Sequence, residues 1–409
     1  MFVLYHQGKQ KVPIKVWLKK PEQIDGGCLE QALNLANLPF VHQWVALMPD
    51  THQGIGMPIG GVIALDGVII PNSVGVDIGC GMAYVQTNLP ADLLRRADKK
   101  NGGVVQAIVG DLLRNIPVGF AHHKSKQPCI ALDNARIERP HLARELLPEL
   151  REGYFQVGTL GGGNHFIEIQ EDEEGLAGLM LHSGSRNFGY KICRHFNEVA
   201  KEFNKKNNSV VPKEYNLAYL PVDTEEGRAY IEWMNLALEF AMENRARMLE
   251  KTMEIFEKWA EKILKEPVEF GEPVNCHHNY AALEHHYGKD LWVHRKGAIR
   301  ARKGEAGIIP GAMGSFSYLV EGLGNPESFE SSSHGAGRRF SRSGAMERYS
   351  VDEVMADLKR EKVVLGKHNK KDVAEESRFA YKDIDEVMEN ERDLARPVKK
   401  LKTVGVIKG

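Results

Sequence analysis

Apolar runs that end in polar, glycine-rich loops recur along this chain, and each run has the length of a buried β-strand. Residues 44–50 (WVALMPD) predict a strand that turns into the loop 51–56 (THQGIG). Residues 60–65 and 67–70 predict a β-hairpin around Asp66 and Gly67. Polar loops directly after buried strands are common positions for functional side chains.

Two later runs deliver histidines to such loops. Residues 158–165 (GTLGGGNH) precede a strand-like FIEI at 166–169, and the apolar run 179–181 leads to His182 and a Ser/Gly loop that ends at Arg186. Because alternate side chains of a strand face opposite sides, a bend at the glycines is needed for both faces of 166–169 to serve one pocket.

Helical periodicity covers residues 190–207 and 223–265, and Asp223 with Glu226 predicts a capping box at the start of the second helix. Other helical regions are predicted at 89–155, with a surface-like character, and at 351–390, rich in charge. The pattern predicts an α+β fold in which residues 1–409 form one compact catalytic domain. Mixed or antiparallel sheets would surround a central cleft, with a helical insertion at about 190–265 on its flank.

Net charge, cysteine count and the length of the apolar runs limit the classes of function that this chain can have. The chain has 409 residues and a formal net charge of -1, so no global basic field indicates nucleic acid and any polyanion site must be local. Its 5 cysteines are odd in number and irregularly spaced, which favours a reducing compartment over a disulfide framework. The chain shows no signal-peptide core and no membrane-spanning apolar run, so we predict a soluble, cytoplasmic protein without membrane partners.

The stretch 74–82 (VGVDIGCGM) carries the first candidate chemistry. Asp77 and Cys80 stand three residues apart among glycines, where they can share a cation; a glycine turn with a structural cysteine is the alternative. His165, His182 and His278 also lie at the ends of strand-like segments, and with Asp77 and Cys80 they provide enough ligands for two metals. Ligands so scattered along the chain suggest catalysis more than structure, and their softness favours zinc or another late divalent ion.

A second candidate site is the loop 331–339 (SSSHGAGRR) around His334. Its glycine amides and Arg338 suit phosphate oxygens, and a neutral imidazole is a usable nucleophile. A flexible surface loop with an exposed histidine is an equal alternative. Asp50 and His52 are candidates for supporting or phosphate contacts, whereas residues 122–124 (HHK) predict a solvated loop.

These motifs give the chain a resemblance to the RtcB family of GTP-dependent RNA ligases, essentially from end to end. The resemblance rests on eight ordered motifs: PDTHQGIG at 49–56, GVDIGCG at 75–81, GNHFIE at 163–168, HSGSR at 182–186, NCHHN at 275–279, SHGAGR at 333–338, AYKDID at 380–385, and KG at 408–409. Each motif alone would be weak, but their order and spacing make the match specific.

The resemblance implies an enzyme that joins RNA ends carrying a 3′-phosphate or 2′,3′-cyclic phosphate to 5′-hydroxyl ends, in tRNA splicing or RNA repair. It implies GTP and two manganese ions per chain, with zinc or cobalt as competitors. By motif match, Cys80 bridges the metals, His165 and His182 hold one, and Asp77 and His278 hold the other. His334 would attack the GTP α-phosphate and form a histidine-GMP intermediate.

The same match implies a nucleotide site and partners. The residues it assigns to GTP or GMP are Asn164, His165, Phe166, Ile167, Glu168, His278, Asn279, Pro310, Gly311, Ala312, Met313, Ser317, His334, Gly335, Ala336, Gly337, Tyr381 and Lys408. Glu168 and Lys408 would select guanine. Candidate contacts to RNA phosphates are Arg186, Arg295, Lys296 and Arg300. The partners implied are RNA ends, such as tRNA halves or broken RNA, and an archease-type activator.

One position departs from the family pattern. The loop usually reads PGSMG, whereas here residues 310–314 read PGAMG, so Ala312 lacks the usual hydroxyl. Loss of one neutral hydrogen bond predicts an effect of about 1 kcal/mol on nucleotide binding. The alternatives to a ligase are a metal-dependent phosphoesterase that opens cyclic phosphates without sealing ends, and a non-catalytic RNA-end-binding protein.

Overall fold

The computed structural model of the protein describes residues 1–97 and 102–409. Its strands are β1 (Phe2–Leu4), β2 (Ile14–Val16), β3 (Val41–Ile55), β4 (Met57–Leu65), β5 (Val68–Ile69), β6 (Gly81–Pro90), β7 (Phe166–Asp172), β8 (Leu176–Ser183), β9 (Leu220–Pro221), β10 (Val274–His277), β11 (Asn279–His286), β12 (Lys289–Lys296), β13 (Ala298–Arg300), β14 (Ala306–Ile309), β15 (Phe316–Gly322), β16 (Ser331–Ser333), β17 (Val364–Gly366) and β18 (Ala395–Lys408).

Several helices pack against the two sheets. They are α1 (Gly26–Ala36), α2 (Pro71–Val74), α3 (Ala91–Leu94), α4 (Val104–Asn115), α5 (Ile130–Asp133), α6 (Leu147–Gln156), α7 (Arg186–Lys206), α8 (Glu225–Trp259), α9 (Arg342–Arg348), α10 (Val351–Arg360) and α11 (Ile384–Asn390). Among the helices of the described ranges, none is long and apolar enough to cross a membrane.

Two large sheets organise the fold. The smaller has the strand order β1-β2-β3-β4-β12-β11, and the larger has the order β10-β6-β8-β7-β18-β15-β14, with β17 also paired to β18. Among the described strands of these sheets, the pairs β2–β3 and β17–β18 are parallel and the others are antiparallel. The predicted α+β class with mixed sheets is therefore confirmed.

The larger sheet is buried on both faces, which fixes its register. Ile167 and Leu179 face a core shared with α4 and α8, whereas Phe166 and Met180 face a second core shared with α10. The predicted helices within 190–265 are present as α7 and α8. The helix α8 is capped by Thr224, whose side chain accepts a hydrogen bond from the Gly227 amide, and not by the predicted Asp223.

Three local predictions around the first strands and helices are wrong. The strand β3 continues through residues 51–55, because β4 pairs with it as far as Ile55 and Met57. The hairpin therefore turns at Gly56, while β5 leaves to pair with β9 and does not pair with β4. Within 89–155, α4 belongs to a hydrophobic core and is not surface-like. Residues 98–101 of that prediction lie outside the described residues.

The C-terminal region also differs from prediction. The charged segment 351–390 contains α10 and α11, but it also contributes β17 to the larger sheet. The last strand, β18, was not predicted. It lies between β7 and β15, so Lys408 sits at the end of an internal strand and is buried.

Candidate active site

A cleft of about 820 Å³ lies between the two large sheets, and side chains from both line it. The larger sheet contributes one cross-strand row, in which His182 stands opposite Phe166, and Phe166 stands opposite Lys408. The strand β3 of the smaller sheet contributes His52. His278 lies at the junction, between β10 of one sheet and β11 of the other. Its amide donates to the Cys80 carbonyl at 2.8 Å.

The five predicted metal ligands meet at one wall of this cleft. Cys80 Sγ lies 3.4 Å from His165 Nε2 and 3.2 Å from His182 Nε2. His182 Nε2 lies 3.4 Å from His278 Nε2, and His165 Nε2 lies 3.1 Å from Asp77 Oδ2. The ligand atoms of Cys80, His165 and His182 all lie within 4.8 Å of one another. This convergence of soft and imidazole donors is a geometry that can hold a metal ion.

The partners of the two ring nitrogens of His165 test whether a cation fits between His165 and Asp77. Its Nδ1 lies 2.9 Å from the Leu160 carbonyl, so a neutral ring donates there and carries its lone pair at Nε2. That lone pair faces the Asp77 carboxylate, whose oxygen also carries lone pairs. Two such atoms repel at 3.1 Å unless a proton or a cation lies between them. The donor set therefore fits a metal.

Burial sets the protonation states around these ligands. It lowers the pKa of His182 and of His278 well below the ordinary value, and the neighbouring histidines reinforce this, so both rings are neutral ligands at physiological pH. Burial, reinforced by the charge of Asp77, raises the pKa of the Cys80 thiol well above its ordinary value. A metal bound at Cys80 must therefore displace a proton.

A buried arginine that the sequence analysis did not single out supports the loops that carry these ligands. Arg245, on α8, donates to the carbonyl of Gly79 at 2.6 Å and to the carbonyl of Ser183 at 3.0 Å. It also contacts His277 Nδ1 at 3.0 Å, so His277 faces α8 while only His278 lines the cleft. The signal was present, because a charged residue interrupts the apolar stripe of α8 at a buried position.

His334 lies beside the metal ligand His278, and side chains of other segments hold it in place. Its Nδ1 lies 2.6 Å from Asp50 Oδ2, and its ring centre lies 4.6 Å from that of His278. The preceding residue, Ser333, is buried and bonds through both its amide and its hydroxyl to Glu391. The alternative of a flexible surface loop is therefore wrong for this stretch.

Most residues predicted to bind the nucleotide line the same cleft. Those that do are Asn164, His165, Phe166, Glu168, His278, Asn279, Pro310, Gly311, Ala312, Met313, His334, Gly335, Ala336, Gly337, Tyr381 and Lys408. Ile167 is different, because its side chain packs in the core shared with α4 and α8. Ser317 is buried behind the cleft and accepts a hydrogen bond from the Gly311 amide at 3.1 Å, which fixes the loop.

At one end of the cleft Lys408, one of the two predicted guanine-selecting residues, contacts a carboxylate that sequence reasoning missed. Lys408 Nζ donates to Glu376 at 2.6 Å. Glu376 also accepts from the Tyr381 hydroxyl at 2.9 Å and from Arg338 at 3.1 Å. Burial raises the pKa of Glu168 to about 7. Nothing in the sequence around Glu376 distinguishes it from the neighbouring surface charges.

The four arginine and lysine residues predicted to contact RNA differ in their exposure and in their partners within the protein. Arg295 is 0% exposed and pairs with Glu284 at 2.6 Å, so it cannot reach a phosphate and that prediction is wrong. Arg300 pairs with Glu305 at 2.7 Å, away from the cleft. Arg186 donates to the Gly119 carbonyl and the Thr159 hydroxyl.

One buried lysine, Lys296, and two exposed arginines, Arg339 and Arg342, line the cleft. Lys296 lines the cleft, although its ammonium group donates to two backbone carbonyls. Arg339 and Arg342 also line the cleft, are exposed, and form no ion pair with the residues described. Neither arginine was predicted to contact RNA, although the RR at 338–339 was a visible signal for Arg339.

Comparisons with known proteins agree with this arrangement. The sequence model of the family described as "tRNA-splicing ligase RtcB" matches residues 31–144 and 131–409. An RNA-splicing ligase RtcB of Escherichia coli (strain K12) is 36% identical over 417 residues, which cover 98% of this chain and 98% of that protein. The chain belongs to the RtcB family. A tRNA-splicing ligase RtcB of Thermococcus kodakarensis is 32% identical, over 93% of this chain and 91% of its own length.

Both segments matched to the RtcB family contribute to the cleft. His52, Asp77 and Cys80 lie in the first segment, and His165, His182, His278, His334 and Lys408 lie in the second. The RtcB similarity therefore spans the whole candidate site and is not confined to one sheet. Ala312 lies directly on the cleft wall.

Proposed function

We propose that this chain is a GTP- and manganese-dependent RNA ligase that joins a 3′-phosphate or 2′,3′-cyclic phosphate end to a 5′-hydroxyl end. Membership of the RtcB family supports the ligase class, since relatives carry the names RNA-splicing and tRNA-splicing ligase. One observation carries the mechanism: His334, held by Asp50 at 2.6 Å, stands against the ring of His278 in the cluster of metal-type ligands.

The first chemical step is assigned to His334. Because Asp50 holds the proton on Nδ1, the lone pair lies on Nε2, which attacks the α-phosphate of GTP. An N–P bond forms as the bond to the pyrophosphate oxygen breaks, and pyrophosphate leaves with that electron pair. The product ring carries a positive charge, which the buried Asp50 carboxylate neutralises. Asp50 is therefore a positioning and charge-stabilising residue.

The proposed assignment of ligands to the two metal ions follows the motif match. Cys80 would be shared between two manganese ions, with His165 and His182 on one and Asp77 and His278 on the other. Zinc and cobalt are expected competitors, because thiolate and imidazole are soft ligands. When bound, such ions neutralise charge on the phosphates and lower the pKa of water for opening a cyclic phosphate.

The remaining residues bind and orient the two substrates. Glu168 would accept from the N–H edge of guanine, and Lys408 would donate to its carbonyl oxygen. Arg339 and Arg342 are exposed cations on the cleft wall and would bind RNA phosphates. The RNA 3′-phosphate then attacks the phosphorus of the histidine-bound GMP, which restores His334. Finally the 5′-hydroxyl attacks the activated 3′-phosphate and releases GMP.

Incubation with α-labelled GTP and manganese, followed by a denaturing gel, tests this function. Label retained on the wild-type chain and absent from His334→Ala would support transfer to histidine, and sealing of tRNA halves with the wild type would complete the test. An archease-type activator is included in a parallel reaction. Absence of label with metal bound, together with opening of a cyclic phosphate, would instead indicate the phosphoesterase.

A further inference from the structure

An aromatic side chain stands fully in solvent beside the cleft, and none of the roles assigned above uses it. Phe120 is 102% exposed, the highest value among the large apolar side chains that the structure describes. An exposed phenyl ring does not contribute hydrophobic stabilisation to the fold, because it is not removed from water. A ring held in this way is suited to contact with a ligand.

The loop that carries Phe120 is anchored at both ends. Leu160 donates to the Pro117 carbonyl at 2.9 Å, and the Gly119 amide donates to the Gly161 carbonyl at 2.8 Å. Beyond Phe120, the His123 amide donates to a carbonyl of α6 at 3.0 Å. The position of the ring is thus set by the glycine loop 158–163.

Arg186 ties this loop to the candidate active site. Its guanidinium donates to the Gly119 carbonyl at 3.2 Å and to the Thr159 hydroxyl at 3.2 Å. It thereby joins the residue before Phe120 to the strand-to-helix turn that follows His182. This contact gives Arg186 a supporting role in place of direct contact with RNA.

The backbone that precedes Phe120 lies close to the cleft wall. Gly162 lines the cleft, and the Cα of Gly119 is 3.7 Å from the point where a Cβ on Gly162 would stand. Phe120 is the next residue, about 3.8 Å further along the chain. Asn164 and His165, which follow Gly163, line the cleft as well.

The segment that follows the ring carries exposed cations. Lys124 and Lys126 are exposed on the same loop, a few residues after Phe120. An aromatic face among cations is the usual composition of a platform for unpaired nucleic-acid bases, because the ring stacks on a base while the cations attract the backbone. A protein partner would favour a broader apolar patch, which these neighbours do not provide.

We propose that Phe120 stacks against an unpaired base of the RNA close to the end that is being sealed, with Lys124 and Lys126 contacting the adjoining phosphates. This inference rests on the proposed ligase function and assigns a base-binding position outside the metal and guanylate sites. Stacking on a phenyl ring is tolerant of base identity, so the contact contributes affinity without sequence preference.

Binding of a short single-stranded RNA with a 3′-phosphate, measured by fluorescence anisotropy without GTP, tests the inference. Phe120→Ala is expected to weaken binding roughly 5- to 150-fold, and Phe120→Trp to retain it. Leu283→Ala is the matched control, because Leu283 is exposed on the edge strand β11 and does not line the cleft. Its affinity should equal that of the wild type.

A second readout reports stacking itself. 2-Aminopurine placed in turn at each of the last few nucleotides should be quenched at one position in the wild type and should brighten there in Phe120→Ala. Equal affinity and equal quenching in Phe120→Ala would overturn the inference and leave a protein partner as the occupant. Labelling with GTP separates the two hypotheses, because a labelled and ligating enzyme with an indifferent Phe120 contradicts only this inference.

Discussion

Asp50 Oδ2 and His334 Nδ1 lie 2.6 Å apart, although Asp50 is on β3 and His334 follows β16, 284 positions later in the chain. Asp50 is 0% exposed, and the same carboxylate oxygen also accepts from the His334 amide at 3.2 Å. Its other oxygen has no hydrogen-bond partner among the described groups. The carboxylate is therefore directed at the histidine and fixes both its backbone and its ring.

Replacing this carboxylate should disable the first chemical step while leaving the fold intact. In Asp50→Asn the charge that stabilises the phosphorylated ring is lost, and we expect the rate of GMP transfer to His334 to fall by about 100-fold or more. The measurement is a single-turnover time course with α-labelled GTP. Metal content of the variant should stay at the wild-type level; if the rate stays within a few fold of wild type, the assigned role is wrong.

Metal binding should release a proton from Cys80. Burial and the nearby Asp77 raise the pKa of this thiol well above its ordinary value, so it is protonated before the ion binds. Manganese affinity of the chelator-treated protein should therefore rise about 10-fold per pH unit near neutrality, measured by titration calorimetry in buffers of different ionisation enthalpy. Cys80→Ser should weaken binding by more than about 10-fold and abolish the proton release. Cys193→Ser is the control, since Cys193 is buried in another core.

Guanine selection should depend on the charge of Glu168. Glu168→Gln presents a donor to the donors of guanine, so we expect GTP to bind about 10- to 100-fold more weakly and ATP to be almost unaffected. Burial raises the pKa of Glu168 to about 7, and guanine favours the ionised form. Wild-type affinity for GTP should consequently fall as pH decreases below 7, whereas affinity of the variant should not. Equal pH profiles for the two proteins would contradict the assignment.

Much of this site was accessible from sequence because its ligands stand at the ends of recognisable strands. Cys80, His165, His182 and His278 each follow an apolar run or glycines, and the cleft does collect them. The bend at the glycines was also predicted, and Gly163 adopts a φ of 69° there. Local pattern was sufficient for these residues because the signal and the function lie in the same short segment.

The features that were not predicted from the sequence depend on pairing between distant segments. Arg295 was predicted to meet RNA because it lies in a basic run, yet Glu284 on the adjacent strand neutralises it. The strand β18 escaped notice because lysines, Pro397 and Gly405 dilute its β pattern. The register between β15 and β18 shifts beside the proline, where Val398 of β18 is the extra residue, and only the completed sheet shows this. Cross-strand partners of this kind are not visible in the local sequence.

Restoring a hydroxyl at position 312 should strengthen nucleotide binding. Ala312 lines the cleft, and its loop is already fixed by Ser315, whose amide and hydroxyl donate to the Ala312 carbonyl at 2.8 and 2.7 Å. Ala312→Ser should therefore tighten GTP binding by about 5-fold, the equivalent of one neutral hydrogen bond of ~1 kcal/mol. Ala312→Val adds bulk without a hydroxyl and should not tighten binding. Equal effects of the two substitutions on the Kd for GTP would rule out a contact through the hydroxyl.

Glu391 should make the protein less stable as pH rises. This side chain is buried, and burial raises the pKa of its carboxyl from 4.5 to about 8, despite the hydrogen bonds from Ser333. Between these values the folded chain binds a proton that the unfolded chain has lost. The contribution of Glu391 to stability is therefore complete below pH 4.5 and disappears as pH rises through 8.

The variant Glu391→Gln isolates this effect, because other titrating groups contribute equally to both proteins. The free energy of unfolding of the wild type, relative to the variant, should fall between pH 5 and 8 with a slope of up to about 1.4 kcal/mol per pH unit. Urea denaturation across this range provides the measurement. Parallel curves would mean that Glu391 is already ionised in the folded state. In that case the loop carrying His334 would rest on a charged support, because Ser333 would be bonding to a buried carboxylate.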